Sequence, residues 1–201
     1  MPMKFNLPNI FSLSRVIIAP FVFFMLISDD DALIQIALLL FILGAVTDYF
    51  DGWIARKLSD VTSWGKFFDP LADKILTSAA FISFIVLEIV PLWMVLIIIF
   101  RDVGTTLLRI YADSVQKPIH TSQSAKVKTF AQMVFIIYIL ILLFLKHSQI
   151  LNISDEALNN IIYSQMTYFF MLVLTIIAVW TSVEYVLQNR NLIFKRTFVQ
   201  N

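Results

Sequence analysis

No cysteine occurs among the 201 residues, which excludes disulfides and thiolate-bound metals. Histidine is almost as scarce: His120 and His147 are the only two, which argues against a histidine zinc site. Charged residues make up 14% of the chain, and the formal net charge of +1 says little by itself; no nucleic-acid partner is expected. No stretch alternates polar and apolar residues with period two, which argues against strands and a membrane barrel. Internal repeats and low-complexity tracts are absent. No small-residue cleavage pattern follows the first apolar stretch, so that stretch reads as a retained helix and not as a signal peptide.

What the chain has instead is apolar length. Hydrophobic residues form 59% of it and the mean hydropathy is +0.83. Apolar runs fall at about 10–27, 32–55, 67–89, 91–111, 125–145 and 161–187, each near the ~20 residues that cross a hydrocarbon core. The expected fold is all-α: one integral membrane domain over 1–201, a bundle of six transmembrane helices. Residues 1–11 are too short to span. Lys4 with Phe5, Leu7 and Phe11 suits a segment lying in the headgroup layer. Connections are short except for the polar stretch 146–160. With the N-terminus inside, every Lys and Arg except Lys146 falls at or towards the inner side. That bias predicts cytoplasmic termini.

The segment TDYFDGWIARKLSDVTSWGKFFDPLADK, residues 47–74, then lies at the cytoplasmic face between the second and third helices. It holds four carboxylates. Asp48 and Asp51 are three apart, about 60° on a helix; Asp69 and Asp73 are four apart and share a face. Two adjacent helices would bring the pairs together. Each close like-charge pair costs on the order of 4 kcal/mol at an effective dielectric of 20, so the cluster needs a cation. All-oxygen donors suit magnesium, manganese or calcium. Gly52 removes a side chain where something bulky approaches, and Arg56 one turn on suits a phosphate. Metal and arginine at a lipid–water boundary point to a phosphorylated, lipid-linked substrate. Other acids read as ordinary: Asp29, Asp30 and Asp31 as a loop and the cap of the second helix, and Asp155 and Glu156 as loop solvation.

Asp48, two residues, Asp51-Gly52, two residues, Ala55-Arg56, eight residues, Gly65, three residues, Asp69, three residues, Asp73 resembles the CDP-alcohol phosphotransferase motif at every fixed position. NLPNIFSLSRVIIAPF and AKVKTFAQM resemble the opening and the basic segment of bacterial members that form phosphatidylglycerophosphate. The resemblance implies a six-helix, usually homodimeric membrane enzyme of the bacterial inner membrane, working on its cytoplasmic side. It would move the phosphatidyl group of CDP-diacylglycerol to an alcohol, here glycerol 3-phosphate, and release CMP. It implies two magnesium ions (Mg2+, with Mn2+ an alternative), one on Asp48, Asp51 and Asp69 and one on Asp48, Asp69 and Asp73. Asp73 would also be the general base. Gly52, Arg56 and Thr62 would contact CDP, and Asn9 and Ser12 would either face the nucleotide or cap the first helix. Asn9, Ser12 and Arg15 recur every three residues and share a stripe.

The acceptor rests on Arg101, Arg109, Lys126 and Lys128, four cations not matched locally by acids and suited to a second phosphate. Similar synthases often carry Arg-Glu where this chain has Arg101-Asp102, and Gly where it has Ala125. Asp102 is expected to pair with a neighbouring arginine, and Glu184 to make a bundle contact. Serine, inositol phosphate or phosphatidylglycerol are the alternative acceptors. A divalent-cation transporter is the alternative class, disfavoured because its site would sit near the midplane within inverted repeats.

Overall fold

The computed structural model describes residues 7–58, 63–115, 123–148 and 153–190, with side chains described from Ser12 to Thr47 and from Leu71 onward within those ranges. Regular structure among the described residues is entirely helical: α1 (Leu7–Leu26), α2 (Asp31–Leu58), α3 (Ser63–Val86), α4 (Leu92–Ser114), α5 (Gln123–Ser148), α6 (Asp155–Ile162) and α7 (Gln165–Gln188). Each of the six apolar runs holds one long helix. The helices overrun the apolar stretches by a turn or less, because polar residues at a helix end keep helical geometry once the apolar body is docked. Residues 7–11 belong to α1 and do not form a separate segment. Residues 1–6 lie outside the described set.

Among the described residues two stretches are long and apolar enough to cross a membrane: α5, with mean hydropathy 2.2, and residues 155–188, with 2.0. Fewer than half the residues of each apolar window are buried inside the chain, so much apolar surface is turned outward. Phe130 on α5 and Trp180 on α7 are each 70% exposed. Such surface is costly in water and neutral in lipid.

α1 packs against both α2 and α3 through Ala19, Val22 and Leu26. Small residues face these contacts: Ala37 on α2 and Ala80 on α3 are fully buried. The centre is aromatic. Phe81 stacks on Phe135 of α5 at 6.2 Å between ring centroids, and Phe135 meets Phe170 of α7 edge-on at 5.1 Å.

The polar stretch 146–160 is not simply a loop. Ser154 caps α6, its hydroxyl accepting from the Ala157 N–H at 3.3 Å. Asp155 and Glu156 sit in the first turn of α6, where carboxylates offset the positive helix end. Leu158 and Ile162, four apart, bury the inner face. The expected cap before α2 is present: Asp30 Oδ1 accepts from the Ala32 N–H at 2.8 Å.

The end of the bundle that holds the start of α2 is cross-tied. Asp31 meets His147 Nδ1 at 2.5 Å, and Gln35 donates to the His147 carbonyl at 2.7 Å, joining α2 to the end of α5. Tyr163 donates its hydroxyl to the Leu87 carbonyl at 3.0 Å.

Candidate functional site

Gly44 marks where three helices converge. A Cβ built there would lie 2.7 Å from Leu76 Cδ2 of α3 and 3.9 Å from Arg15 Cγ of α1. A methyl group added there would have to displace the tip of the Leu76 side chain. Both aspartate pairs are indexed from this contact. Asp48 and Asp51 follow Gly44 by four and seven residues along α2; Asp73 and Asp69 precede Leu76 by three and seven along α3. These are the spacings of single helical stripes, so the four positions continue the Gly44–Leu76 seam. At ~1.5 Å per residue, Asp51 and Asp69 stand about 10 Å beyond the contact on their own helices.

Asp73 is the member of the set whose side chain is described. It is about a quarter exposed and receives Lys74 Nζ at 3.1 Å. Sequence reading passed over Lys74, although adjacency to Asp73 was its signal. Thr77 returns its hydroxyl to the Asp73 and Lys74 carbonyls, each at 3.2 Å. Positions 48, 51, 52, 56 and 69 lie on described helices, but the side chains of Asp48, Asp51, Arg56 and Asp69 are outside the described set, as are that of Asn9 and all of Thr62. Ser12 and Arg15 are buried on the inner face of α1, and Arg15 Nη2 donates to Ser12 Oγ at 3.4 Å.

The basic set divides. Asp102 of α4 accepts Arg101 Nη1 at 3.0 Å, and the same oxygen, Oδ1, takes Lys128 Nζ of α5. The expected arginine partner of Asp102 is therefore Arg101, with Lys128 added. Two of the four cations are matched by an acid after all. Lys128 is completely enclosed, whereas Lys126, two residues earlier on α5, is exposed. Residues two apart on a helix do not face the same way, so these lysines do not form one pair. Arg109 is partly buried, two turns beyond Arg101 on α4. Arg101 Nε is buried without a hydrogen-bond partner among the described residues. Lys74 acts electrostatically on Asp102, which links the Asp73–Lys74 pair to this cluster.

Glu184 of α7 accepts from Ser124 Oγ at the start of α5 and from Gln188 Nε2 at 3.0 Å. It makes the expected bundle contact and fixes the turn of α5 that leads to Lys128. A groove of 440 Å³ runs beside α3, between Pro20 and Phe23 of α1 and Val103 of α4. Its wall is apolar except for Lys74 and Ser78.

The sequence matches the model of the CDP-alcohol phosphatidyltransferase family over residues 5–187. The chain belongs to the CDP-alcohol phosphatidyltransferase family. Among curated proteins it is 41% identical over 142 residues to a Bacillus subtilis CDP-diacylglycerol–glycerol-3-phosphate 3-phosphatidyltransferase, covering 65% of this chain and 74% of that one. It is 39% identical over 137 residues to the protein of that name from Rickettsia felis, covering 68% and 75%. For the Salmonella choleraesuis protein of the same name the figures are 34% over 144 residues, covering 69% and 78%. This phosphatidyltransferase family member is thus a transferase, and its two helical aspartate pairs lie within the matched region.

Proposed function

We propose that the chain transfers the phosphatidyl group of CDP-diacylglycerol to glycerol 3-phosphate, giving phosphatidylglycerophosphate and CMP in phospholipid synthesis. The observation that carries this reading is the seam at Gly44 and Leu76, which continues into both aspartate stripes of the motif. The names of the relatives supply the acceptor.

The donor set is all-oxygen and spread over two helices that meet through the Leu76 side chain at Gly44. Among the described residues, Lys74 offsets the charge of Asp73. Such a set fits a pair of hard divalent cations, magnesium or manganese. Asp48, Asp51 and Asp69 would hold one, and Asp48, Asp69 and Asp73 the second. Bound there, the ions supply charge neutralisation for the diphosphate and the departing CMP.

The chain's own residues do the rest. Asp73 accepts the proton of the acceptor hydroxyl as its oxygen bonds to the phosphorus bearing the lipid and the bond to CMP breaks. Lys74, 3.1 Å from that carboxylate, fixes its orientation. Gly52, Arg56 and Thr62 contact the CDP group, and Ser12, held by Arg15, borders the nucleotide with Asn9. Arg101, Arg109 and Lys126 form the basic side that takes the acceptor's phosphate, and Lys128 supports it from within.

In this reading the six long helices span the bacterial inner membrane with both termini and the aspartates on the cytoplasmic side, and the enzyme is a homodimer. The apolar outward surfaces of α5 and α7 favour a lipid setting.

The test is CMP release from CDP-diacylglycerol in detergent micelles with magnesium, offering glycerol 3-phosphate, serine, inositol 1-phosphate and phosphatidylglycerol in turn. Release that depends on glycerol 3-phosphate is expected. Release with serine alone would refute the acceptor.

A further inference from the structure

We propose that Asp102 is a positioning residue for the acceptor's phosphate, holding Arg101 so that the Nε–Nη2 edge of its guanidinium meets that phosphate. The proposal rests on the reading of glycerol 3-phosphate as the acceptor. It assigns distinct tasks to residues that the sequence alone groups as equals.

The geometry separates those tasks. Lys128 is completely enclosed and its ammonium is already taken by an acid, so its part in the reaction is assigned to that partner. That partner is Asp102 Oδ1, which also receives Arg101 Nη1 at 3.0 Å. A guanidinium held at Nη1 keeps one two-pronged edge, made by Nε and Nη2. That edge matches two phosphate oxygens. Nε has no partner among the described residues although the Arg101 side chain is only 8% exposed. A buried donor without a partner costs stability, and a fold tolerates that where a ligand completes it.

Charge agrees with geometry. Two cations share one carboxylate, so the enclosed group carries one net positive charge. A neutral cluster would not attract an anion, and two unpaired buried cations would not stay folded. One acid between two bases meets both demands. The Arg101 backbone is tied as well: its carbonyl accepts from Thr105 Oγ1 at 2.9 Å. Lys74, within electrostatic range of Asp102, joins the cluster to Asp73.

The experiment is steady-state CMP release with glycerol 3-phosphate and CDP-diacylglycerol varied separately, with inorganic phosphate added as a competitor of glycerol 3-phosphate. In Asp102→Asn the KM for glycerol 3-phosphate is expected to rise by about tenfold or more, the lower range for loss of a charge-assisted contact. The inhibition constant of inorganic phosphate should rise in parallel, and the KM for CDP-diacylglycerol should stay within about twofold. Asp102→Glu, which keeps the charge, should recover most of the loss. Because Asp102→Asn leaves a buried lysine unpaired, the double variant Asp102→Asn/Lys128→Met is the folding control. Replacing both halves of a buried pair is often neutral for stability. The double variant is expected to melt like the wild type yet keep the raised KM and weakened phosphate inhibition. A double variant with wild-type KM and phosphate inhibition would reduce Asp102 to a counter-ion for Lys128 and overturn the proposal while leaving the acceptor intact. A wild-type enzyme that uses serine and ignores glycerol 3-phosphate would overturn both.

Discussion

Gly44→Ala adds one methyl group at the seam, and its effect can be worked from distances. The new Cβ would sit 2.7 Å from Leu76 Cδ2, against the 3.4 Å at which ordinary contact begins, a deficit of 3.4 − 2.7 = 0.7 Å. Leu76 is 2% exposed, so its side chain must shift within packed surroundings. Overpacking of this kind costs roughly 1–3 kcal/mol, and alanine returns about 1 kcal/mol of helix propensity. The net loss is about 0–2 kcal/mol, a few degrees in Tm for a chain of this size. Activity should suffer more. The contact is one turn from Asp48 and from Asp73, and misplacing reacting groups by about 1 Å can cost ~100-fold. We therefore expect kcat for CMP release to fall about 10–100-fold while the fold survives. Leu76→Val in the same background should recover part of the rate by returning volume. Gly104→Ala is the control, since nothing lies within 4 Å of a Cβ there; it should gain up to about 1 kcal/mol and keep full rate. A Gly44→Ala enzyme within twofold of wild-type kcat would refute the claim that this contact sets the aspartate geometry.

Asp73→Asn should leave CDP-diacylglycerol binding intact and lower turnover at least ~100-fold, read by CMP release beside a lipid-binding assay; near-normal turnover would send the proton elsewhere. Asp69→Asn should abolish metal-dependent turnover, and full activity at saturating magnesium would remove its role as a shared ligand. Glu88 closes α3 at φ 58°, in the left-handed region. Glu88→Gly should raise stability by about 1 kcal/mol in thermal melts without changing kcat, and a lower Tm would show that its side chain matters more than its backbone.

The six long helices were legible because apolar length is a strong signal, and Pro91 and the aspartates before α2 punctuate it. α6 was hidden by polarity. Its eight residues bury only Leu158 and Ile162, and Ser154 three residues before Ala157 was the available cue. The aspartate stripes follow from spacing alone, but the point where they begin does not. Gly44 lies inside an apolar run with no turn residue beside it, and the side chain that crowds it is Leu76, 32 residues away. The basic set was half legible. That Lys126 and Lys128 face different ways follows from the helical period. That Asp102 shares one oxygen between Arg101 and Lys128 depends on how α4 and α5 dock, and no local pattern carries that.

The ties from Asp31 and Gln35 to His147 give α2 the mechanics of a cantilever. The helix is tied at its first turns and rests on Leu76 at Gly44, and it continues for 58 − 44 = 14 residues beyond. That stretch is about 21 Å long, so a tilt of ~3° about Gly44 moves its tip by about 1 Å. Asp48 and Asp51, near the pivot, move by a fraction of that. A small rotation about Gly44 would therefore displace the helix end at residue 58 more than the positions of Asp48 and Asp51.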